Sequence, residues 1–201
     1  RFFSDRLKKN IIVKMGFWPG GDRDGNPNVT AETTLKVASS LRSSILKCYY
    51  QDVRRLKRRL TFEGVEQILT GLEIELYNNV FIPGQKTGLT QAQILDSLHQ
   101  IRELLVLQHN GLFLALLENL ISKVQVFGLY FATLDVRQES SVHNMVLEAI
   151  SESTNALPKT YSSLSEDEKI KVLTSIDKTV DVDKLDETAK DTIASVQAIK
   201  T

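Results

Sequence analysis

The 201 residues suffice for one domain with a real hydrophobic core, or one domain and a small appendage, and 42% hydrophobic with 25% charged residues is an ordinary globular composition. Lys and Arg number 25, as do Asp and Glu, so the zero formal charge excludes a global electrostatic pull toward nucleic acid or an anionic membrane. No apolar run approaches the roughly 20 residues of a membrane span, residues 1–6 form no signal peptide, and a single cysteine, Cys48, excludes an internal disulfide framework and fits a reducing cytoplasm.

The chain does not open on Met, from which we expect a piece of a longer protein. The apolar run 11–18 reads as a buried strand. It feeds the most distinctive stretch, Gly20-Gly21-Asp22-Arg23-Asp24-Gly25-Asn26-Pro27-Asn28-Val29-Thr30, whose turn-forming residues predict a shaped polar loop at a strand end. A helix follows from Thr30, its predicted N-cap, to about residue 60, with Leu35, Ala38, Leu41, Ile45 and Cys48 as its apolar face and Cys48 as a buried thiol. Its end, Arg54-Arg55-Leu56-Lys57-Arg58-Arg59, is basic and reads as a solvated face or subunit contact, since cations there offset the helix dipole.

Residues 64–80 predict a second amphipathic helix through Val65, Ile68, Leu69, Leu72 and Leu76, ended by Pro83-Gly84 and a loop at 85–88. Thr90 and Gln93 have capping-box spacing and open a helix through Ile94, Leu98, Ile101 and Leu105 that breaks at Asn110-Gly111. Residues 112–126 predict a buried helix, and His99 and His109 stand in this region with no metal-ligand spacing. Residues 127–136, aromatic and β-branched, predict a second buried strand, followed by Arg137-Gln138-Glu139 and a helix capped by Ser140 or Ser141. After 150 the chain turns polar: a loop, a helix opened by the Ser165/Glu168 capping box, another loop at 180–183 and a last helix over 186–198. We therefore divide the chain into 1–150 and a polar helical excursion or subdomain, 151–201.

Strand, polar residues, then helix thus occurs twice, and in parallel α/β folds such strand ends share one face. Arg23 and Arg137 are expected to meet there, beside a helix N-terminus, in an arrangement suited to phosphate or carboxylate. Asp22, Asp24 and Asp135 are possible metal ligands, but carboxylates in such turns more often bond local backbone N–H groups or pair with an Arg. Ser140 and His143 lack an orienting third group for nucleophilic catalysis. From the residues alone the chain is an anion-binding α/β piece.

The loop at 20–30 resembles the signature loop of the phosphoenolpyruvate carboxylase family, and Leu134-Asp135-Val136-Arg137-Gln138-Glu139-Ser140 with His143 is similar to a second segment of it. Gly16-Phe17-Trp18-Pro19 departs from the more usual Gly-Ser-Trp-Met, and Pro19, with no N–H to donate, is expected to end its strand early.

The resemblance implies a mainly α fragment from the N-terminal half of a bacterial-type enzyme. It would belong to a (β/α)8 barrel, with two short barrel strands near 11–18 and 129–136 and residues 1–150 as the partial barrel segment. It further implies a cytoplasmic homo-tetramer that adds bicarbonate to phosphoenolpyruvate, with Mg2+ or Mn2+, to give oxaloacetate and phosphate through carboxyphosphate and an enolate. Arg137 matches the arginine that holds the substrate phosphate, unless it serves a structural ion pair with Asp135 or Glu139. Arg23 matches one tied to a regulatory sugar-phosphate region and subunit contact, while Gly20, Gly21, Asp22, Asp24, Gly25 and Asn26 would shape the loop.

The family's His-Pro-Thr, metal-binding carboxylate and Gly-Arg-Gly-Gly segments have no match here, so the metal ligands are expected outside this sequence and the fragment alone is expected to be inactive. Two alternatives are a non-catalytic relative that binds phosphometabolites and a helical interaction module using the basic run 54–59.

Overall fold

The computed structural model describes residues 14–26, 28–82 and 88–200. They group into two compact units, residues 14–17 with 38–134 and residues 18–37 with 135–200. In chain order the elements are β1 (Gly16–Phe17), α1 (Ala31–Lys57), α2 (Val65–Phe81), α3 (Gln91–Gln108), α4 (Leu114–Phe127), β2 (Thr133–Leu134), α5 (Ser140–Ser153), α6 (Glu166–Ser175) and α7 (Glu187–Ala198), with single 3-10 turns at Tyr161–Ser163 and Val182–Lys184. The mainly helical expectation holds. The boundary drawn at residue 150 from composition falls within α5.

The first unit is a helical layer with a short parallel ribbon. Here α3 packs on both α2 and α4, and β1 pairs in parallel with β2, Gly16 opposite Thr133 and Phe17 opposite Leu134. Its core joins Leu69, Leu72 and Leu76 of α2, Leu98, Ile101 and Leu105 of α3 and Leu117, Ile121 and Val124 of α4 to the α1 side chains Ile45, Leu46, Tyr49, Val53 and Leu56. The α1 stripe corrects the predicted face. After Ile45 the 3.6-residue period carries the core position to Tyr49, not Cys48, so Cys48 is exposed, and Leu35 is 41% exposed. Tyr49 buries its ring and donates its hydroxyl to the Gly128 carbonyl at 2.8 Å; burial, first of all, pushes its titration well above the ordinary tyrosine range.

Local signals resolve as the sequence predicts. Thr90 and Gln93 form a reciprocal capping box at the start of α3, and α3 ends with Asn110 left-handed at φ 51° while Gly111 N–H donates back to the Leu105 carbonyl at 2.7 Å. The helix expected over 112–126 forms as α4, but only one side of it is buried; Leu112, Leu116 and Val126 stay exposed.

Both predicted strands are shorter than expected. Residues 11–13 and the Pro83-Gly84 stop lie outside the described residues, and β1 ends before Pro19, as a residue without an N–H requires. The strand drawn over 127–136 shrinks to Thr133–Leu134 because α4 runs through Phe127 and then turns. Gly128 adopts φ 55°, Tyr130 N–H bonds to the Phe127 carbonyl, and Phe127 stacks on Phe131 with centroids 5.6 Å apart.

The second unit packs α5 against α7 and the turn at 161–163 around Val146, Ile150, Leu157, Tyr161, Leu185 and Ala189. Glu139, not Ser140 or Ser141, is the residue before α5, and it makes no side-chain capping bond. The capping box at the start of α6 forms as predicted: Glu168 accepts from the Ser165 hydroxyl at 2.7 Å and its backbone N–H at 2.9 Å, which holds the carboxyl below its ordinary range. A carboxyl with a depressed folded value contributes above its unfolded value and loses that contribution as pH falls through the folded one. The stability advantage of the native chain over Glu168→Ala, read from urea midpoints, is therefore expected at neutral pH and should vanish below the ordinary carboxylate range.

Candidate functional site

The loop 20–30 is built by backbone geometry first. Trp18 accepts at its carbonyl from the N–H groups of Gly21 (2.9 Å) and Asp22 (3.1 Å), a turn in which Gly20 takes φ 81°. That backbone is closed to most side chains, and the space is closed too: a Cβ on Gly20 would stand 2.5 Å from Val37 Cγ2. Thr34 donates its hydroxyl to the Gly20 carbonyl at 2.8 Å, fastening the turn to the first turns of α1. Asp22 and Asn26 accept from backbone N–H groups two residues on, Asp24 at 3.4 Å and Asn28 at 3.1 Å, so these side chains stiffen the loop locally. Thr30 caps α1 as predicted, accepting from Thr33 N–H at 3.2 Å.

Two parallel-bridge hydrogen bonds join this loop to the second motif: Arg23 N–H donates to the Arg137 carbonyl at 3.0 Å, and Arg137 N–H to the Gly21 carbonyl at 2.9 Å. The expected meeting of the two arginine segments is thus a backbone contact. Their guanidinium groups diverge in environment.

Arg23 is buried, its side chain 7% exposed, and its Nη2 is paired with Asp191 Oδ2 on α7. The other oxygen of Asp191 accepts from Ala31 N–H, at the N-terminus of α1, at 2.9 Å. Both features that make the loop attractive to an anion, a guanidinium and a helix N-terminus, are therefore engaged by one internal carboxylate. Beside them lies a cavity of about 590 Å3 lined by Arg23, Thr30, Gln138, Glu139, Glu187 and Asp191, in which carboxylates outnumber cations.

Arg137 is the opposite case. Its side chain is 62% exposed and its nearest carboxylate is Asp135, Nη2 to Oδ2 3.9 Å, a contact worth little in water. An exposed guanidinium on a backbone held by two hydrogen bonds is free to grip a planar or tetrahedral oxyanion.

Among the described residues no three His, Cys, Asp or Glu side chains group so as to hold a metal ion. His99 is exposed; His109 stacks on Phe62, centroids 4.3 Å apart. In the basic run, Arg54 and Lys57 pair with Glu73, and Arg55 with Asp52. No helix among the described residues is long and apolar enough to cross a membrane.

Asp191 was not anticipated from sequence. A signal exists nonetheless: Asp191 and Ser195 stand four residues apart beside Thr192, and Thr192 and Ser195 are buried, so α7 turns a small polar face inward.

A family model described as phosphoenolpyruvate carboxylase matches residues 1–78 and 75–201. A phosphoenolpyruvate carboxylase of Trichormus variabilis is 29% identical over 209 residues, covering 82% of this chain and 20% of its own. One of Synechococcus sp. is 30% identical over 210 residues (79% and 20%), and one of Paraburkholderia xenovorans 29% over 210 residues (82% and 21%). The chain spans about a fifth of the length of the curated relatives it matches.

Proposed function

The chain belongs to the phosphoenolpyruvate carboxylase family, and on that premise we propose that it is a segment from the N-terminal half of a bacterial-type enzyme that joins bicarbonate to phosphoenolpyruvate, releasing oxaloacetate and phosphate. In this reading residues 1–150 supply part of a (β/α)8 barrel and 151–201 a helical excursion from it. The complete protein would be a cytoplasmic homo-tetramer, with no role for nucleic acid or membrane.

One observation carries the assignment of a role within the segment: of the two motif arginines, only Arg137 presents a solvent-accessible guanidinium. Arg137 would hold the substrate phosphate, whose phosphorus bicarbonate would attack: the new P–O bond gives carboxyphosphate as the bond to the enol oxygen breaks, with the enolate as leaving group. Holding that phosphate contributes to substrate binding, and the same positive charge stays on the phosphoryl group during its transfer to bicarbonate. Mg2+ or Mn2+, which the family implies, would add charge stabilisation of the enolate, with its ligands in other parts of the enzyme.

Gly20, Gly21, Asp22, Arg23, Asp24, Gly25 and Asn26 would serve by shaping the loop and, in the complete enzyme, its regulation. Two facts support the shaping role: the side chains of Asp22 and Asn26 bond the loop's own backbone, and Arg23 is buried on Asp191.

The complete enzyme is expected to convert phosphoenolpyruvate and bicarbonate to oxaloacetate, followed by NADH oxidation with coupled malate dehydrogenase. The 201-residue chain alone is expected to yield none. Turnover by the isolated chain would refute its dependence on the missing segments. Binding of phosphoenolpyruvate by the complete protein without turnover would instead favour a regulatory relative.

A further inference from the structure

We infer that Asp191 is a positioning residue that sets the backbone of Arg137 for phosphate, acting through Arg23. This inference rests on the phosphate-binding role proposed for Arg137.

The connection is continuous within the second unit. One carboxylate on α7 grips Arg23 through Oδ2 and the Ala31 N–H through Oδ1, and so fixes both ends of the turn that joins loop to helix. Arg23 also reaches the Asp191 carbonyl with Nη1 at 3.4 Å, a contact at the limit of hydrogen bonding. From Arg23 the path runs through its own backbone: its N–H meets the Arg137 carbonyl, and Arg137 N–H returns to the carbonyl of Gly21. A residue 54 positions further along the sequence thereby governs where the Arg137 main chain sits.

Burial gives the grip its force. A guanidinium 7% exposed, with its Nε buried and making no hydrogen bond among the described residues, has lost most of its water and depends on Asp191 for compensation. Without the carboxylate the buried cation must find water, which it reaches only by moving outward and dragging residues 21–23 with it. The strand-end bridge to Arg137 moves in consequence. Asp191 itself needs no contact with substrate.

Asp191→Asn is the informative change, because the amide oxygen still accepts from Ala31 N–H while the charge facing Arg23 is gone. In the complete enzyme the variant is expected to raise the KM for phosphoenolpyruvate about tenfold, with kcat within about threefold of the parent and the KM for bicarbonate unchanged. In an Arg137→Ala background the same change should add less than about twofold, since the group it positions is absent. Hydrogen exchange at the Arg137 and Arg23 amides should accelerate in Asp191→Asn, an effect read without any turnover.

An unchanged KM for phosphoenolpyruvate, an equal effect with and without Arg137, or unaltered exchange at these amides would each overturn the inference. If Arg137→Ala itself leaves that KM unchanged, the phosphate role of Arg137 fails, and the positioning inference fails with it. Should Asp191→Asn not fold, Arg23→Lys weakens the same grip from the other side and is read by the same measurements.

Discussion

Replacing Arg137 with Ala in the complete enzyme is expected to lower kcat/KM for phosphoenolpyruvate about 100-fold, or ~2.7 kcal/mol of transition-state stabilisation. Hydrogen bonds to charged groups contribute about 1.5–3 kcal/mol each, so ~2.7 kcal/mol corresponds to two such bonds at the low end of that range, as suits a solvent-accessible guanidinium. Arg137→Lys retains the charge without the paired geometry, and about a tenfold loss is expected. Thermal stability should change little in either variant, because the side chain is mostly exposed and its one carboxylate neighbour is 3.9 Å away. A coupled steady-state assay with a melting curve on the same samples tests both statements. Full activity in Arg137→Ala would remove Arg137 from the chemistry, and a large fall in melting temperature would assign it to structure.

The two arginines look equivalent in sequence, each following a strand-like run and preceding a helix. Their difference arises from a partner that sequence proximity does not reveal. Asp191 lies 168 residues from Arg23 and sits in a segment whose polar composition resembles that of any solvated helix. Nothing local to Asp191 distinguishes a carboxylate facing water from one compensating a buried cation. Only the inward small-polar face of α7 carries a trace of it.

Local chemistry was far more legible. The capping boxes at Thr90 and Ser165, the left-handed end of α3 at Asn110 and the N-cap at Thr30 are each decided within a few residues, and each forms where the pattern places it. The stripe Ile94, Leu98, Ile101 and Leu105 was equally plain, because its helix buries one face continuously. Errors came where a local pattern admitted two solutions. From Phe127 to Val136 the aromatic and β-branched side chains suit a strand, yet Phe127 completes α4 and Gly128 turns the chain before pairing begins at Thr133. In α1 a spacing of three and a spacing of four after Ile45 differ by one residue, and that residue decides whether Cys48 or Tyr49 enters the core. Tyr49 does so, and its hydroxyl finds the Gly128 carbonyl, a partner from the far end of another helix.

Gly20→Ala is expected to be the most damaging single-methyl change in the signature loop. At φ 81° an L-residue meets its own carbonyl neighbours, at a cost of about 1–2 kcal/mol. The added Cβ would also fall 2.5 Å from Val37 Cγ2, and overpacking of that kind adds about 1–3 kcal/mol. Val37 yields poorly, since a β-branched side chain in a helix is confined to essentially one rotamer and the Thr34 hydroxyl holds the Gly20 carbonyl beside it. The two costs separate experimentally. Urea unfolding followed by circular dichroism should show Gly20→Ala destabilised by about 2–5 kcal/mol, and Gly20→Ala/Val37→Ala should recover the steric share while keeping the backbone share. No recovery in the double variant would place the whole cost in the backbone, and no loss in the single variant would mean that the turn at Trp18 opens without consequence for the fold.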